Sequence, residues 1–292
     1  MTSPAPSPAS GVPAAGDLQA DLALALRLAD AADAQSLPRF DAADLRVSMK
    51  ADASHVTDAD LAVERAIRDL LATERPDDGI FGEEFGAEGS TLRQWIIDPI
   101  DGTANFLRGA PVWGTMIALA VEGVPRVGVV SAPALGRRWW AAAGHGAWTA
   151  TETEPRRLTV SSVDSLDDAS VSFQSIGQWD DAGWLDALVA LSRRVWRDRA
   201  YGDVWAYMLL AEGRLDMVAE FDVKEYDIAA AVPIIAEAGG RLTAFDGAET
   251  ISARSTLATN GVLHDAFLDF FHGSPEDPDD SSPDALPPEP PR

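Results

Sequence analysis

At 292 residues with 46% hydrophobic content, the chain can bury a substantial core as one compact domain or two abutting lobes. Lys and Arg number 23 against 47 Asp and Glu, and the resulting charge of −24 argues against a nucleic-acid partner, which would need clustered cations. The absence of cysteine excludes a disulfide framework, thiolate metal sites and cysteine nucleophiles, and it suits a cytoplasmic protein.

Residues 1–16 and 273–292 are rich in Pro, Ser, Ala and acid, cannot bury enough apolar area to offset chain entropy, and read as disordered tails around a single domain at 17–272. No secretory signal is visible, and no segment approaches the roughly 20 apolar residues of a spanning helix, so no membrane partner is expected. In chain order, Leu18, Leu22, Leu26 and Ala29 predict a helix over 18–33, and Val63, Ile67, Leu70 and Leu71 a second over 57–74. A strand over 95–97 precedes a meander of strands over 115–121, 126–131 and 138–142, broken at the Glu122-Gly123 and Leu135-Gly136 turns. A second lobe, from about 151, reads as strand 170–173, helix 183–191, helix 204–211, strand 214–218, helix 226–237 and strand 241–244. Pro233 should kink the long helix and Gly239-Gly240 should stop it. The mixed order argues against a doubly wound parallel sheet.

The run Trp95-Ile96-Ile97-Asp98-Pro99-Ile100-Asp101-Gly102-Thr103 carries the most chemistry. An apolar strand ends in two carboxylates three residues apart, with the Ile100 carbonyl between them, and Gly102-Thr103 then opens a helix. Pro99 holds Asp98 in extended backbone. With Glu83-Glu84 upstream and Asp227 downstream, these oxygens suit a hard divalent cation, and the helix start offers N–H groups to an anion. Metal ligands beside an anion cradle point to metal-assisted phosphate-ester hydrolysis. Local structure alone gives other readings: Asp101 as a helix cap, Thr57 and Asp60 as a capping box, Asp227 as a helix-dipole partner, and Asp203 as a cap for 204–211.

WIIDPIDGT, the upstream GEE, and YDIAA followed by EAGG together resemble the inositol monophosphatase family, in family order from about Leu24 to Phe271. Val129–Leu135, Arg137–Trp140, Arg199–Asp203 and Ala258–Gly261 are most similar to the actinobacterial histidinol-phosphatase branch. The resemblance implies an α+β fold, the αβαβα layered sandwich of the inositol monophosphatase and fructose-1,6-bisphosphatase type. It implies two or three Mg²⁺, with Mn²⁺ as a substitute and Li⁺ as an inhibitor, and a homodimer acting on a small-molecule phosphate ester. Metal ligands carried over are Glu83, Asp98, the Ile100 carbonyl, Asp101 and Asp227. Glu83 and Thr103 would hold the attacking water, with Asp60 as the partner of Thr103, and no phosphoenzyme would form. Asp101, Gly102 and Thr103 would bind phosphate, while Asp203, Glu220 and Asp227 would contact the alcohol moiety. Histidinol phosphate carries an amine and an imidazole, which two carboxylates at the rim would suit. An inositol or sugar monophosphatase, or a catalytically silent regulatory or scaffold protein, remain alternatives. Three positions depart from the family pattern: His55 in place of Pro, Ala104 in place of Thr or Lys, and Tyr226 in place of Trp.

Overall fold

The computed structural model describes residues 15–50, 55–150 and 154–273. The expected tails therefore lie outside the described residues, except that 15–16 already belong to the first helix and 273 is described. The first lobe comprises α1 (Ala15–Ser36), β1 (Val47–Met49), β2 (His55–Thr57), α2 (Asp58–Glu74), β3 (Gly79–Gly82), β4 (Gly86–Glu88), β5 (Arg93–Asp101), α3 (Thr103–Leu107), β6 (Gly114–Val121), β7 (Val124–Ala132), β8 (Arg137–Ala142), β9 (Ala147–Ala150) and β10 (Arg156–Arg157). The second contains β11 (Ser170–Phe173), α4 (Ile176–Asp181), α5 (Leu185–Arg194), β12 (Arg197–Arg199), α6 (Asp203–Ala211), β13 (Met217–Phe221), α7 (Glu225–Ile228), α8 (Ala231–Glu237), β14 (Arg241–Thr243), β15 (Ser255–Thr259) and α9 (His264–His272).

Side-chain alternation builds the layers. Trp95 and Ile97 of β5 face α1 and α2, where Leu24, Leu28, Val63 and Ile67 are buried. Ile96, between them, faces the other way onto Tyr207, Met208, Ile234 and Ile235 of α6 and α8. Val218 of β13 meets the same helices, while Met217, Ala219 and Phe221 turn outward to α4, α5 and α9. The result is helices, eight-stranded sheet (order β10-β9-β8-β7-β6-β5-β3-β4), helices, five-stranded sheet (order β12-β11-β13-β15-β14), helices. This is the expected αβαβα sandwich. The first sheet reaches Arg157, past the boundary near 150 at which the second lobe was placed.

Three local expectations are corrected. β5 does not end at Ile97 but runs to Asp101, absorbing the carboxylates through a register shift against β6 between Asp98 and Asp101. The strand expected over 214–218 lies at Met217–Phe221, because 212–214 form the turn that ends α6, with Glu212 N, Gly213 N and Arg214 N donating to the Met208, Leu210 and Leu209 carbonyls. The helix over 226–237 is broken at Ala229-Ala230 rather than kinked at Pro233. Proline removes the bond to the residue four positions earlier, here Ala229, so the interruption falls one turn upstream.

Candidate active site

The register shift in β5 is what turns a strand into a site. It brings Asp98 and Asp101 to the same end of the sheet, and with Asp227 they place three carboxylate oxygens within 4.8 Å of one another. Asp227 lies in the first turn of α7 and accepts from Lys224 N at 2.7 Å, so its carboxylate is fixed as part of the helix start. Below these residues Ile100 packs with Ala59, Phe106 and Trp113, which anchors the turn.

Asp101 does not cap its own helix. Gly102 is the N-cap of α3, at φ +82°, and a β-carbon there would lie 3.1 Å from Val112 O. Asp101 instead accepts from Val204 N, the first turn of α6 in the other lobe. That contact also removes the expected capping role of Asp203, which sits inside α6 at φ +49° and accepts from Asn105 Nδ2 at 2.9 Å. A pair of reciprocal contacts between lobes thus fixes the floor of the cleft.

Glu83 and Glu84 follow β3, and buried Glu64 holds their turn, accepting from Glu84 N at 2.7 Å and Phe85 N at 3.2 Å. A side chain at Gly82 would bring its β-carbon to 1.9 Å from Glu64 Oε1, so glycine is required for this approach. Lys50 Nζ lies 2.7 Å from both Glu83 Oε1 and Glu84 Oε1. Burial alone would lower the Lys50 pKa, but its bonds to the two glutamates outweigh that and raise it. The family motifs did not point to Lys50 or Glu64; both are one-residue contributions from distant segments.

Thr103 and Asp60 are not seen paired. Thr103 Oγ1 donates to Ile100 O at 2.9 Å, and Asp60 Oδ2 accepts from Thr57 N at 2.8 Å and Thr57 Oγ1 at 2.5 Å in a full capping box. The expected direct link between them is therefore corrected: each finds a nearer partner within its own turn. Asp60 Oδ1 nevertheless stays buried with no protein partner. Tyr226 is buried edge-on to Phe81, 5.7 Å between centroids, with Lys224 Nζ 5.5 Å from its ring. His55 is exposed on β2, and residues 51–54 before it lie outside the described residues. Of the other histidines, His264 is enclosed between Thr243 and Thr259 in the second lobe, in a structural setting.

The electrostatics are those of an acidic nest. Burial, then the charges of Glu83, Asp101 and Asp227, raise the Asp98 pKa well above the carboxylate range. Burial followed by Asp203 and Asp227 does the same to Asp101. Burial pushes Asp227 and Glu84 each up to about 7 and Asp60 up to about 6. An all-oxygen donor set whose members repel one another, with Asp98 Oδ1 buried and unpartnered, fits a hard divalent cation. Ile100 O accepts one bond from Thr103 and keeps a second lone pair for such an ion.

Beside the nest is a cavity of about 130 Å³ lined by Asp101, Gln174, Gln178, Asp203, Tyr207, Glu220, Asp222, Val223 and Asp227. Glu220 is 2% exposed, accepts from Tyr207 OH at 2.7 Å, and leaves Oε1 buried without a partner. Burial raises its pKa to about 8, with Asp203 and Asp227 adding to the shift. No arginine or lysine lines this cavity.

Comparison with known proteins gives the family. A model of the inositol monophosphatase family matches residues 17–275. The chain is 53% identical over 250 residues to the histidinol-phosphatase of Mycobacterium tuberculosis, covering 85% of this chain and 96% of that one. It is 50% identical over 257 residues to the histidinol-phosphatase of Streptomyces coelicolor, covering 86% and 97%. Among solved structures, the inositol monophosphatase from Zymomonas mobilis superposes with a TM-score of 0.76 at 31% identity, over 87% of this chain and 98% of that one. Among the described residues no helix is long and apolar enough to cross a membrane. The chain belongs to the inositol monophosphatase family and is a phosphomonoesterase of that family.

Proposed function

We propose that the protein hydrolyses L-histidinol phosphate to histidinol and phosphate, as a Mg²⁺-dependent step of histidine biosynthesis carried out in the cytoplasm by a homodimer. The observation that carries the substrate is the rim: Asp203 and Glu220 Oε1 face a cavity with no basic residue in its lining, a setting for an ester that carries an ammonium group. The two relatives above, both named histidinol-phosphatase, support the same reading.

Glu83, Asp98, Ile100 O, Asp101 and Asp227 would hold the cations, and Mg²⁺ would supply Lewis-acid polarisation of the phosphate and a lowered pKa for water. The chain's own part is positioning. Thr103 spends its hydrogen on Ile100 O, so its oxygen is left to accept from a water, and Glu83 can accept the second proton of that water. The N–H groups of Gly102 and Thr103 would orient the phosphate for in-line attack, with no phosphoenzyme. Burial raises the Glu220 pKa to about 8, and an ammonium beside Oε1 would favour its ionised form.

Phosphate release from L-histidinol phosphate and myo-inositol 1-phosphate, measured side by side with Mg²⁺, is expected to favour the former by at least tenfold in kcat/KM. Preference for the inositol ester would keep the family chemistry and refute the substrate.

A further inference from the structure

The cleft does not end at Glu220. Gln178 and Asp222 also line a second, larger cavity of about 590 Å³, so the two spaces adjoin at these side chains. The second space has aromatic walls: Trp184, Phe221, Phe245 and His272. Phe221 and Phe245 lie 4.7 Å apart and Trp184 meets Phe245 edge-on at 5.1 Å, a rigid set held by mutual packing.

Asp222 stands at the boundary in an unusual way. It follows β13 at φ +58° and pairs with Arg254, which precedes β15 at φ +57°. The two flank the register pair Phe221–Ser255, so the ion pair closes the end of the β13–β15 ladder. Their side chains are 70% and 54% exposed, and such a pair contributes little to stability. Both residues therefore hold left-handed backbone beside an ion pair that adds little to folding.

Spacing connects this boundary to the proposed substrate. Glu220 and Asp222 are two residues apart in the chain, and both line the first cavity. In histidinol phosphate three carbons separate the ester oxygen from the imidazole, with the ammonium on the middle one. An ester whose ammonium meets the unpartnered Glu220 Oε1 carries its ring onward toward Asp222 and the aromatic space. We infer that Asp222, at the junction of the two cavities, is the residue that selects a substrate bearing a nitrogen heterocycle: its carboxylate accepts the ring N–H beside the aromatic walls. This assignment rests on the histidinol phosphate reading.

The test compares kcat/KM for L-histidinol phosphate with that for O-phosphoethanolamine, which has the ammonium but no ring, in the wild type, Asp222→Asn and Arg254→Ala. Asparagine tolerates left-handed backbone, so Asp222→Asn leaves the turn intact, and an unchanged melting temperature checks this. Asp222→Asn is expected to lower the ratio of the two values about tenfold, mainly through KM for histidinol phosphate. Arg254→Ala is expected to hold or raise the ratio, because it frees the carboxylate. An unchanged ratio in Asp222→Asn, or equal falls in both variants, overturns the assignment, since the pair would then serve only the strand ends. A wild type that hydrolyses inositol 1-phosphate but not histidinol phosphate defeats the substrate reading, and this assignment with it, before any variant is made.

Discussion

Replacing Asp98 by Asn is expected to raise the melting temperature of the cation-free protein while lowering kcat about 10³-fold or more and removing most of the response to Mg²⁺. Asp98 is 2% exposed, its Oδ1 has no partner, and burial together with Glu83, Asp101 and Asp227 opposes its charge. An amide of the same shape relieves that repulsion but supplies a weaker ligand. In the wild type, Mg²⁺ at 100 times its Kd adds about 2.7 kcal/mol, or ~5–11 °C of Tm for a chain of this size. The variant should gain under about 2 °C. Equal shifts in both proteins would remove Asp98 from the cation site.

The same carboxylates set a pH dependence. Asp227 and Glu84 at about 7, and Glu220 at about 8, have folded pKa values above their unfolded ones. Their contribution to stability is complete below the unfolded values near 4 and is lost as pH rises through 7 to 8, because the folded state binds more protons in that window. With a net effect on the order of 3 kcal/mol, the cation-free protein should lose ~6–12 °C of Tm between pH 5 and pH 8. Saturating Mg²⁺ should cancel most of the loss. A flat Tm in chelator across that range would contradict the buried acidic nest.

What could be read in the sequence was whatever a short segment carries by itself. Asp98, Ile100, Asp101 and Thr103 lie within six residues, and Asp227 lies in the first turn of α7, so motif and local geometry agree. Apolar periodicity marked single elements such as α2 and the strands of the first sheet, whereas their layering came from the resemblance to the family. Contacts between lobes were not legible. Asp101 accepts from Val204 and Asn105 donates to Asp203, pairs about a hundred residues apart that no local pattern announces. β15 went unread because Ser255–Thr259 is short and flanked by bends, and only its pairing with β13 and β14 makes it a strand. Lys50 went unread for a similar reason: a single lysine on no element is brought to Glu83 and Glu84 by the path of the chain.

Asp60 is where local and functional readings collide, and one substitution separates them. As a cap it needs a single oxygen, and Oδ2 already takes both bonds from Thr57. The amide oxygen of Asp60→Asn can accept the same two bonds, and loss of the charge removes a burial cost that pushes the carboxyl to about 6. Stability should therefore hold or rise, whereas Thr57→Ala, which breaks the box, should cost ~0.5–2 kcal/mol. The fold has no use for the second oxygen: Oδ1 is buried without a partner, close enough to Glu83 for that charge to raise the pKa of Asp60 further. The catalytic reading proposed for Asp60 gives that oxygen a proton to receive from the cleft. Asp60→Asn is thus expected to lower kcat by ~10²–10⁴ with Tm unchanged or raised. Normal turnover in Asp60→Asn would make Asp60 a helix cap and nothing more, leaving Thr103 and Glu83 to manage the water alone.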